Sequence, residues 1–354
     1  MKIAIVLPPG FKFDVKAPNS IETVVRTLHD GGDFGHSVRV FCDESPADHG
    51  DMPVTLIPTG RKRTKAMIAA LKAFGPDYIE FQQNAVRARP IAKAFPNTPN
   101  SLYRHNYVKH QHSWTGRLKT WWYNRPYKAF IFVSQAALDD FAAHNPDQAQ
   151  RSYKVGNPID ATPWLAPVEG KSPVIAFCGR AAPEKGLAPF CEALAQVLEV
   201  RPAWRGLLLL SQIHVHPAFI ETQLGRLAPF GERVSILHDL PLASVMAEMR
   251  QAAIAVIPSL WQEPFGLTAL EAHASGVCVI SSGSGGLREA SGDHALFVPE
   301  VTAAHLTEAM LHLIDNEPLR LRMARQGQAF VKEAHTPVRR AIELDAIRRQ
   351  IAQT

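Results

Sequence analysis

The chain has 354 residues, of which 46% are hydrophobic and 20% are charged, as in a folded globular protein and unlike a disordered one. This length predicts two domains. No stretch reaches the roughly 20 apolar residues that a membrane-spanning helix needs, and the short apolar start before Pro8 is expected to be a strand rather than a signal peptide. The four cysteines lack the spacing of a metal site, so free thiols and a cytoplasmic location are expected.

The net charge of +5 is unevenly distributed. Between positions 55 and 130 there are 14 basic residues and two acidic ones. A basic first half favours an anionic partner, either a lipid surface or a nucleic acid. Because no known nucleic-acid motif is present, no nucleic acid is expected as a partner.

Apolar, β-rich runs alternate with helix-like segments along the whole chain, a pattern that predicts parallel sheets covered by helices. The strands predicted in the first half are Lys2–Leu7, Ser37–Phe41, Val54–Ile57, Asp77–Phe81, Ser101–Arg104, Ala129–Val133 and Tyr153–Val155. Those predicted in the second half are Val174–Cys178, Gly206–Leu210, Val234–Leu237, Ile254–Ile257, Val277–Ser281 and Ala295–Val298.

A proline-rich segment divides these strands into two groups, which predicts two α/β domains. We expect a first Rossmann-like domain over 1–157, a linker over 158–172 and a second Rossmann-like domain over 173–337. The helix expected over 338–354 packs back on the first domain. Ligands of such sheets bind at the carboxyl ends of the strands, so a cleft there is the expected site.

Two motifs lie at such strand ends. In the first, Glu263-Pro264-Phe265-Gly266-Leu267 leads into a helix that carries Glu271. The free amides at a helix start suit a phosphate, and a glutamate inside the helix can accept hydrogen bonds from sugar hydroxyls. In the second, Gly179-Arg180 is followed by Glu184-Lys185-Gly186, which places two cations in a turn that can neutralise a diphosphate.

Either motif alone also fits a solvated loop, but together they closely resemble retaining glycosyltransferase family 4. Weaker marks of the family follow in its order: Arg104-His105-Asn106, Phe132-Val133-Ser134, Gly156-Asn157-Pro158-Ile159-Asp160 and Gly285-Gly286-Leu287-Arg288-Glu289. The resemblance implies the GT-B fold, in which two Rossmann-like domains turn their parallel sheets toward a cleft. It also implies sugar transfer with retention from a UDP- or GDP-linked donor, without a cofactor.

The resemblance further implies roles for individual residues. Arg180 and Lys185 would hold the diphosphate, Glu263 the sugar hydroxyls and Glu271 the ribose. The residues implied to be catalytic are His105, Arg180, Lys185 and Glu263. Those implied to bind the donor are Gly179, Arg180, Lys185, Leu237, Glu263, Phe265, Gly266, Leu267, Thr268 and Glu271. With no Asp-x-Asp motif in the sequence, no metal is expected in this site.

The loop after the first strand departs from the family pattern, because Gly10 stands where relatives carry a Gly-Gly pair. Gly10, Asn19, Ser20 and Asn106 are the acceptor-side candidates, and Ser20 is expected to cap the first helix.

Two basic segments, 61–74 and 114–128, predict a surface for anionic lipids, and the second contains Trp114, Trp121 and Trp122. The alternative is an ordinary helix with Trp121 or Trp122 in the core. With the membrane interpretation, the enzyme is peripheral on the inner face of the plasma membrane. Its acceptor is then a lipid-linked glycan, as in bacterial surface polysaccharide or lipopolysaccharide assembly.

Three other functions fit parts of this sequence. An epimerase or phosphorylase of the same fold is one alternative, which product analysis would separate from a transferase. A catalytically idle sugar-nucleotide-binding protein is a second. A nucleotide-dependent oxidoreductase is disfavoured because no G-x-G-x-x-G turn follows a predicted strand.

Overall fold

The computed structural model describes residues 1–16, 18–110 and 113–353. The chain forms two compact units. Unit 1 consists of Met1–Pro158 together with Pro337–Thr354, and unit 2 of Ile159–Thr336.

Unit 1 is built on a seven-stranded parallel sheet in the order β3-β2-β1-β4-β5-β6-β7. Its strands are β1 (Lys2–Val6), β2 (Ser37–Asp43), β3 (Val54–Ile57), β4 (Tyr78–Gln82), β5 (Asn100–Arg104), β6 (Ala129–Phe132) and β7 (Ser152–Lys154). Both faces of the sheet are covered, which is why β4 is buried along its whole length. The strand order reverses beside β1, between β2 and β4, and this switch point is where such sheets bind ligands.

The helices of unit 1 cover the two faces of that sheet. They are α1 (Ser20–Asp30), α2 (Arg63–Phe74), α3 (Ala85–Lys93), α4 (Trp114–Asn124), α5 (Gln135–His144), α6 (Pro146–Ala149) and α14 (Pro337–Ala352). Buried side chains of α2, α3 and α5 form one core with the sheet. Side chains of α1 and α14 belong to the core that contains Ile3 and Val40.

Asn19, not Ser20, caps the first helix. The Asn19 side chain accepts hydrogen bonds from the amides of Ile21 and Glu22, and the Glu22 carboxylate accepts one from the Asn19 amide. This reciprocal capping box makes Ser20 the first helical residue, so the prediction for Ser20 was wrong.

Unit 2 is built on a six-stranded parallel sheet in the order β10-β9-β8-β11-β12-β13. Its strands are β8 (Ser172–Arg180), β9 (Arg205–Ser211), β10 (Val234–His238), β11 (Ala252–Ile257), β12 (Cys278–Ser281) and β13 (Ala295–Phe297). Its helices are α7 (Leu187–Val200), α8 (Pro217–Gly225), α9 (Leu242–Met249), α10 (Leu267–Ala274), α11 (Leu287–Ser291), α12 (Ala303–Asp315) and α13 (Glu317–Ala334). The strand order reverses between β9 and β11, on either side of β8.

The predicted strands are confirmed, and no predicted bound differs from the structure by more than two residues. The final helix ends at Ala352, and Thr354 lies outside the described residues. The proline-rich segment packs on unit 2, where Trp164 and Val168 are buried and the Ile159 amide donates to the His335 carbonyl at 2.9 Å. Short apolar anchors therefore hold this segment in place.

Two expectations about the basic segments are corrected. Trp121 and Trp122 are 41% and 46% exposed, so the alternative that placed one of them in the core is wrong. Arg63 is buried, and its Nε donates to Asp43 Oδ1 at 2.5 Å. It therefore stabilises unit 1 from inside and is not part of a charged surface.

Candidate active site

The two sequence motifs of unit 2 meet at its switch point. The loop 181–186 follows β8, the loop 258–266 follows β11, and these strands are hydrogen-bonded neighbours. A third loop, 282–286, follows β12, the next strand of the sheet. Three loops thus leave the same edge of the sheet side by side, although about 100 residues separate the first from the last.

Main-chain hydrogen bonds tie these loops to one another. The Leu260 amide donates to the Glu184 carbonyl at 2.9 Å, and the Gly286 amide donates to the Glu263 carbonyl at 2.8 Å. Since neither bond depends on a side chain, the loops form one framework from which the polar side chains project.

Lys185 and Glu263, predicted from separate motifs, form an ion pair between Nζ and Oε1. The Ser259 hydroxyl donates to the same carboxylate oxygen at 2.6 Å. Glu263 is 6% exposed, so its carboxylate is held by two donors in a largely dry environment. The structure thus brings the predicted phosphate-binding lysine and sugar-binding glutamate into direct contact.

Arg180 lies on the same side of the site and pairs with Glu184 Oε1 at 3.1 Å. Arg180 Cζ lies 5.9 Å and Lys185 Nζ 5.1 Å from the centre of the Trp261 ring, so one aromatic ring accompanies both cations. The Trp261 indole Nε1 is fully buried and has no hydrogen-bond partner among the described residues. Trp261 was missed by the sequence analysis, although it lies two residues before Glu263.

The start of α10 is shaped to expose its amides. No side chain caps this helix, and Gly266 at its N-cap adopts a φ of +111°. A β-carbon on Gly266 would lie 2.4 Å from the Leu287 side chain, so the position requires glycine. The first amides of the helix, those of Leu267 and Thr268, are left for an anion. The Phe265 side chain is instead buried in unit 2, which leaves its backbone as the part that can face a ligand.

Glu271 lies one helical turn into α10, and its carboxylate accepts no hydrogen bond from a described residue. Burial raises the pKa of this carboxyl to about 7. A half-buried carboxylate without a protein donor is suited to accept hydrogen bonds from ligand hydroxyls.

The other two predicted donor residues are placed differently. Gly179 is the residue before Arg180 in β8 and pairs with Leu210 of β9. Leu237 lies on β10, the edge strand, with β9 between it and β8. Leu237 is therefore separated from β8 by one intervening strand of the sheet.

In unit 1, His105 directly follows β5, and its position is fixed by Gln82, the last residue of β4, and by Gln83, the residue after it. The His105 Nε2 lies 2.6 Å from Gln82 Oε1, and its amide donates to Gln83 Oε1 at 2.7 Å. The ring stacks on Tyr103 with centroids 4.7 Å apart. Burial, and then the charge of Arg104, lowers the pKa of His105 to about 3, so the ring is neutral at physiological pH.

Gln82 and Gln83 were missed by the sequence analysis. The signal available in the sequence was a pair of glutamines directly after the predicted strand Asp77–Phe81. Gln83 has a φ of +60°, a conformation that costs energy for a residue other than glycine and is frequent at functional sites.

The acceptor-side candidates lie at different points of unit 1. Gly10 has a φ of +88°, and its amide donates to Asp43 Oδ2 at 2.7 Å, so it shapes the loop after β1. Asn19 is occupied as the helix cap, whereas Ser20 is exposed. Asn106 is exposed beside His105, and its amide donates to Gln83 Oε1 at 3.2 Å. Of these residues, Asn106 shares its glutamine partner with His105.

One group among the described residues could offer three metal ligands, namely His110, Asp140 and His144. Its two imidazole rings stack 3.5 Å apart at an interplanar angle of 14°. Because ring-nitrogen lone pairs lie in the ring planes, these two do not converge on a common ion. The cluster contains none of the predicted site residues, although His110 lies close to Asn106 in the sequence. The absence of a metal from the reaction stays a prediction.

Comparison with known proteins supports this reading of unit 2. Residues 172–316 match the family model of glycosyl transferases group 1. A D-inositol 3-phosphate glycosyltransferase of Corynebacterium efficiens is 33% identical over 166 residues, which are 46% of this chain and 38% of that protein. A phosphatidyl-myo-inositol mannosyltransferase of Mycobacterium tuberculosis is 31% identical over 216 residues, 56% of this chain and 55% of that protein. The chain thus spans about half or less of the length of these relatives, and the family resemblance is confirmed for the matched segment.

Solved structures resemble the chain over its whole length. HepE of Anabaena, in complex with UDP and glucose, has a TM-score of 0.77 and 19% identity, covering 100% of this chain and 99% of that chain. A glycosyltransferase of Rickettsia africae has a TM-score of 0.80 and 15% identity, with the same coverage. Likeness at such identities concerns the fold alone, and the predicted GT-B fold class is confirmed.

Proposed function

We propose that this chain is a retaining, metal-independent glycosyltransferase. It moves a sugar from a UDP- or GDP-linked donor to a lipid-linked acceptor. Its residues 172–316 match the family model of glycosyl transferases group 1. The observation that carries the proposal is the set of loops at the switch point of unit 2, where cations, free helix amides and a buried carboxylate lie together.

Each part of this set suits one part of a nucleotide sugar. Arg180 and Lys185 supply positive charge for the diphosphate, and the amides at the start of α10 supply oriented dipoles. Glu263 and Glu271 supply acceptors for hydroxyl groups. That HepE of Anabaena was solved in complex with UDP and glucose supports a donor of this class.

The same groups favour departure of the leaving group. When the bond between the sugar anomeric carbon and the diphosphate oxygen breaks, negative charge grows on that oxygen, and prearranged cations and amides stabilise it. The acceptor oxygen then bonds to the anomeric carbon on the same face, and its proton passes to the departing phosphate. This front-face reaction retains the anomeric configuration. In unit 1, neutral His105 can offer a substrate hydroxyl a hydrogen bond but not a charge.

Donor binding is tested first with a thermal-shift screen against UDP, GDP, ADP and their sugar conjugates. A ligand that binds the folded state raises the melting temperature. We expect a shift with a UDP or GDP conjugate that is lost in Arg180→Ala and Glu271→Ala. Arg233→Ala, which removes an arginine of the same unit beside the edge strand, is the matched control and should retain the shift. If no nucleotide or conjugate shifts the wild type, the donor-site assignment is wrong.

Transfer and stereochemistry are tested with the donor so identified. Product formation with the anomeric configuration of the donor, read by proton NMR and unaffected by a metal chelator, supports a retaining, metal-independent transferase. A product with inverted configuration would overturn the proposed reaction. An epimerised or phosphorolysed sugar without an acceptor product would instead favour the epimerase or phosphorylase alternative.

The membrane part of the proposal rests on α4 of unit 1. Three of its large side chains are strongly exposed: Trp114 by 75%, Leu118 by 54% and Trp122 by 46%. The exposed basic residues around them are Arg117, Lys119, Arg125 and Lys128, and the segment 113–128 contains no acidic residue. Exposed tryptophans among cations favour binding to the interface of an anionic bilayer.

The second basic segment adds charge on the same side of the sheet. Helix α3 contacts both α2 and α4, and the exposed residues Arg61, Lys62, Lys65 and Lys72 belong to α2 or the turn before it. Among the described residues, no helix is both long and apolar enough to cross a membrane. We therefore propose peripheral attachment to the cytoplasmic face of the plasma membrane, with a lipid-linked acceptor of surface polysaccharide or lipopolysaccharide assembly.

Vesicle co-sedimentation tests this attachment. We expect the chain to bind phosphatidylcholine vesicles that contain phosphatidylglycerol and not vesicles of phosphatidylcholine alone, with binding weakened by salt. Trp114→Ala combined with Lys119→Glu should reduce binding. Lys332→Glu, at an exposed position of α13, makes the same charge change elsewhere and should retain it. Binding that ignores anionic lipid would contradict the proposal without affecting the donor site.

A further inference from the structure

A buried polar chain runs through unit 1 from its last helix to His105. Arg348 of α14 donates from Nε to Glu80 Oε2 at 2.9 Å, and one of its terminal nitrogens lies 2.8 Å from the same oxygen in an ion pair. Gln82 Nε2 donates to the other oxygen, Glu80 Oε1, at 2.8 Å, and Gln82 Oε1 lies 2.6 Å from His105 Nε2. Glu80 and Gln82 are 1% and 2% exposed, so water does not compete for these contacts.

In this row of hydrogen-bonded side chains, each group can act in only one way as donor or acceptor. An arginine can donate but not accept, so it faces a Glu80 carboxylate that accepts through both oxygens. The amide group of Gln82 must then turn its NH₂ toward Glu80, because the reverse orientation would oppose two acceptors. Its carbonyl oxygen therefore faces His105 Nε2. A carbonyl can accept but not donate, so Nε2 must carry the proton.

The opposite ring nitrogen is left available. His105 Nδ1 makes no hydrogen bond to a described residue, and it is not among the fully enclosed polar atoms. The stack on Tyr103 and the bond from the His105 amide to Gln83 hold the ring in place. A ring held on one side and protonated at Nε2 presents a lone pair at Nδ1.

We infer that Arg348, Glu80 and Gln82 are positioning residues, which fix the proton of His105 on Nε2 so that Nδ1 accepts a hydrogen bond from a substrate hydroxyl. The inference deepens the proposed function, on which its substrate part rests, while the protonation part concerns the protein alone. It also has a consequence for specificity. A hydroxyl can donate to Nδ1, whereas a carbonyl or ionised phosphate oxygen at that place would meet a second acceptor.

The protonation part is tested by NMR of the full chain labelled with ¹⁵N-histidine, in which protonated and unprotonated ring nitrogens have well-separated shifts. The signal of His105 is identified by its loss in His105→Gln. We expect Nε2 in the protonated range and Nδ1 in the unprotonated range in the wild type. A wild-type His105 with its proton on Nδ1 would overturn the inference, whatever the variants do.

Variants then test whether the hydrogen bonds from Glu80 through Gln82 set the protonation state of the His105 ring. Glu80→Gln lets the amide at position 82 turn over, so the two His105 nitrogen shifts should move toward each other. Arg349→Met is the matched control, since it removes an ion pair between Arg349 and Asp345 on the same helix without contacting Glu80. Its His105 shifts should equal those of the wild type. Unchanged shifts in a folded Glu80→Gln protein would contradict the role of Glu80.

Transfer kinetics provide the last readout. Gln82→Ala should lower kcat about tenfold or more, the size typical of losing a group that orients a functional histidine, with a smaller change in donor KM. Arg348→Met should have a similar effect, and Arg348→Lys should restore part of the rate. A merely structural pair would lower the melting temperature without separating kcat from KM. If the ¹⁵N shifts are as expected but no transfer is detected with any donor, the proposed function fails while the positioning chain stands.

Discussion

Gly186 faces the carbonyl of Pro258 so closely that a β-carbon on the glycine would lie 1.9 Å from the carbonyl oxygen. The two residues belong to the loops after β8 and β11, 72 positions apart in the sequence. Gly186 also has a φ of +75° and is the N-cap residue of α7. The contact shows that the lysine of one motif reaches the glutamate of the other because the backbones themselves approach at a glycine.

Gly186→Ala should therefore destabilise unit 2 and weaken donor binding. The left-handed φ and the clash each cost about 1–3 kcal/mol, and the loops can escape the clash only by separating. Gly170→Ala is the control, because Gly170 has a φ of +72° but nothing within 4 Å of its β-carbon. It should show the conformational cost alone and bind the nucleotide normally. Urea unfolding and the thermal shift with nucleotide measure the two effects, and equal behaviour of the two variants would contradict the close approach.

Glu271 should make donor binding depend on pH. Burial raises the pKa of this carboxyl to about 7 in the free protein, and hydroxyl donors of a bound ligand favour the ionised form. Affinity should therefore rise about tenfold between about pH 6 and pH 8 and become flat in Glu271→Gln. A nucleotide sugar is the proper probe, since a free nucleoside diphosphate has a terminal phosphate that titrates near pH 6. Calorimetric titration that finds the same slope in both proteins would remove this role.

The raised pKa of Glu271 also predicts how the stability of the ligand-free protein depends on pH. Because the folded pKa lies above the unfolded one, the folded state binds more protons, and stability falls as pH rises from about 4.5 through about 7. The melting temperature of Glu271→Gln should therefore increase relative to that of the wild type as pH rises over this range. A constant difference between the two proteins would mean that Glu271 titrates normally.

Buried His273 should make the folding stability change with pH in the opposite direction. It is 0% exposed, and neither of its ring nitrogens has a hydrogen-bond partner among the described residues. Burial, and then the charges of His294 and His335, lowers its pKa to about 3. The unfolded state thus binds a proton below about pH 6.5 that the folded state does not, and stability is lost as pH falls.

For His273→Met, a change to a flexible side chain of similar size, the acid-dependent loss should shrink by about 2 kcal/mol between about pH 7.5 and pH 5. His214→Gln removes an exposed histidine of the same unit and should leave the slope unchanged. Urea unfolding at both pH values measures the difference. A wild-type slope retained in His273→Met would show that another group carries the acid sensitivity.

The strands were predictable from the sequence because each lies in a parallel sheet covered on both faces. Burial on both sides makes nearly every residue of β4 and β11 apolar or enclosed, and the chain then reads as short apolar runs between polar helices. The residue that caps the first helix depends on the position of one further side chain. Asn19 and Ser20 are both good caps, and the glutamate three positions after Asn19 selects Asn19.

Other parts of the candidate site depend on contacts that no local pattern contains. The ion pair of Lys185 with Glu263 follows from the neighbouring positions of β8 and β11, and the two motifs, whose residues were given separate roles, did not predict it. The function of Gln82 depends on its contacts with His105 on one side and with Glu80, which Arg348 holds, on the other. Since Arg348 lies 268 residues from Glu80, composition and spacing could not reveal the positioning chain.

A double-mutant cycle at Lys185 and Glu263 separates their structural contact from their chemistry. Lys185→Met leaves a nearly buried carboxylate with Ser259 alone and should destabilise the protein by about 1–3 kcal/mol. Adding Glu263→Gln removes the uncompensated charge, so most of the stability should return, whereas transfer should remain about 100-fold slower because the leaving group has lost a cation. The same cycle at the exposed pair Arg325 and Glu169 should leave stability nearly unchanged, because solvent screens an exposed ion pair. Recovery of activity together with stability in the double variant would show that the pair only supports the loops.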